Sequence, residues 1–280
     1  MEKTKRRSSQ VQISEFPWWL VIIGLIIIII LLLIINAPTF NEAFVIMSAG
    51  IGTTITITVI SYGISLIIGL IVGLGRVSSG IIAKNLATFY IEIVRGIPML
   101  VLIFFTALVI IPGVIRLLSL MGEKFVEIGW TSAGEPLAGV NIRMVSMSIR
   151  AVVALSITYG AFSAEIFRAG IQSIHPGQME AARSQGMSYG QAMRNVILPQ
   201  AIRNMLPALG NDFISMLKDS SLVSVLAVRD VTHLARLYAG GSFRFTEAYS
   251  ILAVLYLCMT ILLSLVVKYI ERRISTNGES

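Results

Sequence analysis

Long apolar runs without charge are the feature that most constrains this chain. Residues 18–35 and 51–74 contain no charged side chain, and a helix needs about 20 predominantly apolar residues to cross the hydrocarbon core of a bilayer. Further apolar segments of similar length lie at residues 86–111, 148–167 and 249–267. These runs lack the apolar–polar alternation typical of strands in a membrane β-barrel. The sequence therefore predicts an all-α integral membrane protein.

Composition and charge exclude several other classes of protein. The chain is 55% hydrophobic and 13% charged, whereas soluble domains carry about 25% charged residues. The net charge of +7 does not indicate nucleic-acid binding, because the basic residues lie at the ends of apolar segments. The single cysteine, Cys258, excludes an intrachain disulfide and a cysteine-based metal cluster. His175 and His233 have no partners at ligand spacing, so we predict no metal site and interpret both as loop residues.

A sixth spanning segment is predicted at residues 201–228, although its polar residues weaken the hydropathy signal. Six spanning helices, an even number, would place both termini on the same side of the membrane. Basic residues at positions 3–7 and 268–273 predict that this side is the cytoplasm. The apolar run at residues 18–35 is longer than the core of a signal peptide, about 7–15 residues, so we expect a retained first helix.

The chain is expected to form one membrane domain with an addition at its N-terminus. No internal repeat or linker divides it. We predict a cytoplasmic N-terminus and an additional first helix at residues 1–48, the membrane domain at residues 49–272, and a cytoplasmic tail at residues 273–280. The loop at residues 112–147 is either a small folded cap or a long connection, and it is predicted to face outward.

Residues 176–199 predict two short helices outside the membrane. The dipeptide at residues 176–177 marks a turn, the next eight residues suit a helix, and Gly186 suits its left-handed end. Ser188 with Gln191 matches a capping box that opens a second helix. Pro199 is predicted to end or kink that helix.

The two short helices at residues 176–199, here called the elbow, have two interpretations that residue spacing alone does not separate. In the first, it docks to a partner, because the small Ala181 and Ala182 admit close approach while Glu180 and Arg183 form charge-assisted bonds to that partner. In the second, it is an amphipathic helix at the membrane interface with nothing bound.

One motif in the elbow resembles that of a known family. Glu180-Ala181-Ala182, three residues, Gly186, nine residues and then Val196-Ile197-Leu198-Pro199 resemble the Glu-Ala-Ala loop of ABC importer permeases. Val196 stands where the family usually has Ile, which preserves an apolar β-branched side chain. The resemblance implies that the loop fits a groove on a separate ATPase and transmits its closure to the membrane helices. The residues implied in this coupling are Glu180, Ala181, Ala182, Arg183, Gly186, Leu198 and Pro199.

Two further stretches are similar to the polar amino-acid branch of these permeases, the His/Glu/Gln/Arg/opine family. They are Tyr90-Ile91-Glu92-Ile93-Val94-Arg95-Gly96-Ile97-Pro98 and Leu217-Lys218-Asp219-Ser220-Ser221-Leu222, with residues 159–170 between them. The resemblance covers about residues 53–272. It implies the type I ABC importer transmembrane fold with about six helices and a cytoplasmic coupling helix, in a prokaryotic cytoplasmic membrane.

The resemblance also implies a set of partners. They are a cytoplasmic ABC ATPase dimer, a second permease subunit that is identical or paralogous, an extracytoplasmic amino-acid-binding protein, and the lipid bilayer. The sequence contains no Gly-x-x-x-x-Gly-Lys-Ser/Thr phosphate loop. We therefore expect no enzyme activity and no cofactor in this chain, with ATP and Mg held by the partner ATPase.

Ionisable and other polar residues within apolar segments mark candidate substrate contacts. Such groups cost a few kcal/mol each at membrane depth, so they should face protein or water. An amino acid needs donors for its carboxylate and acceptors for its ammonium group. The candidates are Glu165 and Asn211 first, followed by Lys218, Glu92, Arg95 and Tyr159. The alternative is a purely structural role. Glu92 with Arg95, and Glu165 with Arg168, would then form i, i+3 ion pairs that only stabilise the helix bundle.

Small residues within the spanning segments favour helix packing over substrate binding. Gly69 and Gly73 are spaced as in small-x-x-x-small motifs. Ser156, Gly160 and Ser163 form a similar small face in the segment at residues 148–167, and we interpret it in the same way.

Two rival functions remain at this point. A secondary carrier or channel would use its buried ionisable groups as ion or proton sites and would need no ATPase. It gives no reason for the Glu-Ala-Ala loop. A membrane-anchored assembly protein would have no pathway, which the polar stripe at Asn211, Ser215 and Lys218 argues against.

Overall fold

The computed structural model describes residues 18–276, which are mostly helical and contain no strand in that range. The basic cluster at residues 3–7 lies outside the described residues. The helices are α1 (Trp18–Asn36), α2 (Pro38–Ser48), α3 (Ile51–Val77), α4 (Ile81–Gly96), α5 (Met99–Phe105), α6 (Ile111–Glu127), α7 (Thr131–Ala138), α8 (Met147–Gln172), α9 (Pro176–Ser184), α10 (Tyr189–Ala192), α11 (Leu198–Asp219), α12 (Val231–Ser242) and α13 (Phe245–Thr276).

Four helical stretches of the described chain are long and apolar enough to cross a bilayer. They are Pro38–Val77, Met99–Glu127, Met147–Gln172 and Phe245–Arg273, and a shorter apolar helix covers Val21–Asn36. The predicted count of six therefore stays a prediction. Helix α11 is not among these spanning candidates, because polar residues interrupt it and lower its hydropathy. It continues into a 3-10 helix at Ser220–Leu226.

The segment predicted as one helix at residues 86–111 is broken in the structure. Helix α4 ends at Gly96, Ile97 and Pro98 have extended ψ angles of 136°, and α5 begins at Met99. Proline lacks a backbone N–H and disfavours the helical conformation of the residue before it. The single-helix prediction is wrong here, because the hydropathy of the run hides the proline.

Helices α3 and α8 pack closely through small residues. A Cβ atom added at Gly69 would lie 2.6 Å from Cβ of Ser163, and one at Gly73 would lie 2.8 Å from Cβ of Phe167. A Cβ at Gly160 would lie 2.6 Å from Cγ2 of Ile68. The predicted packing role of these glycines is confirmed.

Polar bonds brace α8 against α11. Tyr159 donates its hydroxyl to Oδ2 of Asp219 at 2.6 Å, and Ser163 donates to Oδ2 of Asp212 at 3.0 Å. Tyr62 of α3 donates to the Leu209 carbonyl. These bonds satisfy carboxylates and hydroxyls that burial would otherwise leave without partners.

The loop predicted at residues 112–147 is a folded helical cap. Helices α6 and α7 form a hairpin in which a Cβ at Gly134 would lie 2.7 Å from the Val126 backbone, and one at Gly122 would overlap the Ala138 backbone. Arg150, which is buried, joins this cap to the bundle through bonds to the carbonyls of Val145, Ile142 and Ala107. The cap lies at the start of α8, so it is at the opposite end of the bundle from α9.

Helices α1, α2, α12 and α13 share a second core. Ile34 of α1 and Met47 of α2 are buried in it with Ala235 of α12 and Ile251 of α13. Asp230 caps α12 by accepting the backbone N–H groups of Thr232 and His233.

Candidate functional site: an exposed elbow and a charged cavity

Helix α9 begins with a histidine cap that the sequence did not reveal. Nδ1 of His175 accepts the backbone N–H of Gly177 at 3.1 Å, and Pro176 occupies the first turn. Side-chain acceptors at this position satisfy one of the N–H groups that a helix leaves unpaired. His175 is thus a loop residue, as predicted, and its capping bond is what the sequence did not reveal. The same prediction was wrong for His233, which lies in the first turn of α12 because Asp230 caps that helix just before it.

The end of α9 follows the predicted geometry. Gly186 has φ +86°, and its N–H bonds to the Arg183 carbonyl at 3.0 Å, while the N–H of Met187 reaches the Ala182 carbonyl at 3.2 Å. These two bonds form the Schellman arrangement, whose left-handed position favours glycine. Nη1 of Arg183 donates to the Met187 carbonyl at 2.9 Å, so in this structure Arg183 braces the elbow itself.

The second helix of the elbow opens with the predicted capping box. Ser188 accepts the N–H of Gln191, and the Gln191 side chain accepts the N–H of Ser188. Pro199 does not end the helix. The chain instead forms a π-helical turn at Met193–Ile197 and continues directly into α11.

The inner face of the elbow shares a core with the bases of α8 and α11. Met179 of α9 packs with Phe167 and Ile171 of α8 and with Ala201 and Met205 of α11. Ala182 is buried at the turn, whereas Glu180 and Ala181 are exposed. The elbow therefore presents a small and acidic outer face while its inner face is fixed to two membrane helices.

A cavity of about 640 Å³ lies between α8 and α11, next to the elbow core. Its lining combines charged, polar and small residues from three helices: Arg95, Glu165, Ile166, Arg168, Ala169, Gly170, Ser173, Asn204, Met205 and Ala208. This volume lies within the range of small-molecule sites, about 300–1,000 Å³. The cavity has the size and the polar groups that a small zwitterion requires.

The acidic group of the cavity is held by two arginines. Oε2 of Glu165 accepts Nη2 of Arg168 at 2.7 Å, and Oε1 lies 3.4 Å from Nη1 of Arg76. The predicted pair of Glu165 with Arg168 is confirmed. Arg76 comes from the end of α3, so this cluster also connects α3 to α8.

Arg95 lines the cavity and forms no salt bridge within residues 18–276, although its charge lies near that of Glu165. Its guanidinium lies 5.7 Å from the ring centroid of Phe162, and the predicted pair with Glu92 does not form. Glu92 instead lies 3.8 Å from Arg76, with its side chain 70% exposed. That prediction was wrong, because spacing along one helix does not show that a neighbouring helix offers a closer cation.

The structure separates the six candidate substrate residues. Glu165 and Arg95 line the cavity. Asn211 and Lys218 are exposed on the face of α11 that continues from the cavity, and Glu92 is exposed outside it. Tyr159 is buried and bonded to Asp219, so its hydroxyl is occupied.

Three polar residues of the cavity were missed. Arg168 was interpreted only as a helix pair, and Ser173 and Asn204 were not considered. Asn204 donates to Oγ of Ser173 at 3.0 Å, which closes the cavity between α8 and α11. Asn204 precedes Asn211 by seven residues, so extending the polar stripe by two helical turns would have found it.

Comparison with known proteins gives consistent relatives. "Probable glutamine ABC transporter permease protein GlnM" of Bacillus subtilis is 34% identical over 239 residues, which is 85% of this chain and 98% of the relative. "Glutamine transport system permease protein GlnP" of Escherichia coli K12 is 34% identical over 82% of this chain and 94% of the relative. A chain of the solved structure described as an amino acid ABC transporter with histidines is 36% identical, with a TM-score of 0.64, over 81% of this chain and 94% of its own length.

The family pattern agrees with these relatives. It is described as "Binding-protein-dependent transport system inner membrane component" and matches residues 65–276. That range contains the elbow, the cavity and both helices that connect them. The all-α fold is the type I ABC importer transmembrane fold, and the chain belongs to the family of binding-protein-dependent transport system inner membrane components.

Proposed function

We propose that this chain is the permease subunit of an ABC importer for polar amino acids, of the glutamine, glutamate, histidine or arginine class. The observation that carries the proposal is the core shared by the elbow and by the two helices that line the charged cavity. Such a core couples a force on the elbow to the shape of the cavity. The names of the relatives, which include glutamine permeases, support the substrate class.

The elbow is the coupling point for a separate ATPase. Glu180 and Ala181 face outward, where a small side chain admits close approach and a carboxylate offers charge-assisted bonds. Ala182, Arg183 and Gly186 hold the shape of the elbow, and the segment at Leu198 and Pro199 joins it to α11. Closure of the partner ATPase dimer on bound ATP and Mg would shift the elbow and thereby the bundle.

The cavity is the place where the amino acid passes. Arg95 has free donors for the carboxylate of the substrate, and Glu165 offers an acceptor for its ammonium group. Asn211 and Lys218 on the exposed face of α11 would continue this route along the helix. A polar face on a membrane helix needs water or protein opposite it, which suits a second permease subunit, identical or paralogous, across the pathway.

The same proposal sets the orientation and the parts of the chain. The elbow and both termini would lie in the cytoplasm, and the hairpin of α6 and α7 would face an extracytoplasmic amino-acid-binding protein. Residues 1–48 would add α1 and the short α2 to a membrane domain at residues 49–272, and residues 273–280 would form a tail. This orientation follows from the distribution of basic residues in the sequence.

The experiment that tests the proposal is uptake of labelled amino acids into vesicles holding this chain with its ATPase and binding protein. Glu180→Arg reverses the exposed charge, and Gly186→Val places a β-branched residue at φ +86°. We expect both variants to abolish ATP-driven uptake and capture of the ATPase while the chain still inserts. Uptake without any ATPase would favour a secondary carrier instead.

Two control variants match these changes. Glu135→Arg reverses an exposed charge at the far end of the molecule, and Gly190→Val adds the same side chain within the elbow, where no atom lies within 4 Å of the added Cβ and φ is not positive. Both controls should still capture the ATPase. Loss of ATPase capture in either control would show that the effect is not specific to Glu180 and Gly186.

A further inference from the structure

Helix α6 carries an apolar stripe that no other part of residues 18–276 covers. Val114, Leu117 and Met121 are exposed by 50%, 58% and 43%, and their i, i+3, i+7 spacing places them on one face of the helix. The opposite side carries Arg116 and Glu123, which are also exposed. This stripe is therefore a surface of a segregated, amphipathic helix, and exposed apolar patches of this kind mark interaction sites.

The stripe lies at the boundary of the membrane-spanning bundle. Ala107, just before α6, is bonded to Arg150 in the first turn of α8. The 17 residues of α6 therefore extend past the start of α8, over roughly 25 Å at 1.5 Å per residue. They are placed at the end of the bundle away from the elbow.

We propose that α6 lies along the headgroup boundary of the leaflet away from the elbow, with Val114, Leu117 and Met121 inserted among lipid acyl chains. The first argument is continuity. Residues 99–110, which precede α6 within the apolar stretch Met99–Glu127, expose apolar side chains up to Ile110, so exposed apolar surface borders the start of the stripe. An amphipathic helix with this division of faces binds in the interface plane of a bilayer.

The tip of the hairpin has the composition of a membrane anchor. Ile128 and Trp130 are 72% and 64% exposed, and the Trp130 ring contacts Phe125 edge to face at 5.8 Å between centroids. Tryptophan is enriched at membrane–water interfaces. Lys124 is exposed beside the stripe, and its long side chain can extend to lipid phosphates while its methylene groups stay among apolar atoms.

The hairpin also fixes which face of α6 is free. Gly122 and Gly134 allow the backbones of α6 and α7 to approach so closely that an added Cβ would overlap the facing helix. Helix α7 therefore covers the side of α6 that carries Gly122 and the buried Ile115. The Arg150 bonds hold the base of the hairpin. The stripe is thus presented by a braced unit, and its direction does not depend on a flexible linker.

The experiment is site-directed spin labelling of the full-length chain in liposomes. Cys258→Ser removes the single native cysteine, and single cysteines then carry nitroxides at Leu117 and Met121 on the stripe, and at Arg116 and Glu123 on the polar face. Collision with oxygen reports lipid exposure, and collision with a water-soluble nickel chelate reports water exposure. Leu262, which is 64% exposed on α13, serves as the lipid-facing reference.

The apolar face of α6 should collide more with oxygen, and its polar face more with the nickel chelate. We expect the oxygen-to-nickel ratio at positions 117 and 121 to exceed that at positions 116 and 123 several-fold and to lie below that at position 262, which is near the middle of the apolar stretch Phe245–Arg273. High nickel collision on both faces would overturn the proposal, because the hairpin would then stand in water. Low collision with both reagents at 117 and 121 would overturn it as well, since a second copy or another protein would then cover the stripe.

Discussion

The elbow and the cavity lie at the same end of α8 but are assembled in different ways. The bonds that shape the elbow join residues two to five positions apart, as in His175 with Gly177 and Met187 with Ala182. The cavity brings Arg95, Glu165 and Asn204 together from three helices. The bonds that shape the elbow are therefore local, although its inner face packs on α8 and α11. The cavity, in contrast, exists only while α4, α8 and α11 keep their packing.

The largest expected effect comes from a substitution that disturbs the packing of the bundle, on which the cavity depends, and leaves the bonds within the elbow unchanged. In Gly69→Leu the new Cβ would lie 2.6 Å from Cβ of Ser163 and 3.1 Å from the Ala164 backbone N, so α3 and α8 must move apart. Overpacking of this kind costs about 1–3 kcal/mol. We expect a lower midpoint for loss of monodisperse protein on heating in detergent, and loss of amino-acid binding.

A matched control for this change lies on the same helix. Gly63→Leu adds the same side chain to α3 at an exposed position with no atom within 4 Å of the new Cβ. Its melting midpoint should stay close to that of the wild type. Equal losses in both variants would mean that leucine in α3 is harmful for a reason other than its contact with α8.

The next effect concerns the chemistry of the cavity alone. Arg95→Ala removes a guanidinium that forms no salt bridge in the described chain, so folding should be little changed. A hydrogen bond to a charged group contributes about 1.5–3 kcal/mol, which corresponds to roughly a 10- to 150-fold weaker affinity. The measurement is equilibrium binding of labelled glutamine or arginine to the detergent-solubilised transporter complex without binding protein.

Glu92→Gln provides the contrast for Arg95. Both residues come from the same helix and the same sequence motif, but the Glu92 side chain is 70% exposed and lies outside the cavity lining. We expect the affinity of this variant to stay within about fivefold of the wild type, because an exposed ion pair contributes at most about 1 kcal/mol. A loss as large as that of Arg95→Ala would place the substrate site elsewhere.

The same contrast explains what the sequence could predict. The left-handed Gly186 and the capping box of Ser188 with Gln191 follow from short-range rules, and the structure confirms them. The membrane class follows from the length of the apolar runs, and the family match supports it. The cap by His175 also uses neighbours, but histidine is not among the usual cap residues. The break at Pro98 was visible in the sequence and was outweighed by the hydropathy of its neighbours.

The cavity could be predicted only in part, for a physical reason. Glu165 was found because a carboxylate in an apolar segment is costly and so indicates a partner or a function. Its second cation, Arg76, comes from α3, about 90 positions earlier in the chain. The position of Arg76 is set by the packing of Gly69 and Gly73 on α8, and no spacing rule within one helix contains that information.

The smallest effect should fall on the elbow. His175→Ala removes the acceptor of the Gly177 N–H, and loss of a side-chain cap costs a helix about 0.5–2 kcal/mol. Because the cap is local, we expect fraying of α9 with an unchanged melting midpoint of the bundle. ATP-driven uptake should fall, and hydrogen exchange should rise at residues 177–181 but not in α8.

His233→Ala is the matched control, since that histidine lies in α12 and receives its cap bond through its backbone N–H, and it should leave exchange in α9 unchanged. If His175→Ala instead lowers the melting midpoint as much as Gly69→Leu, the elbow is an integral part of the bundle and is not a local structure mounted on it.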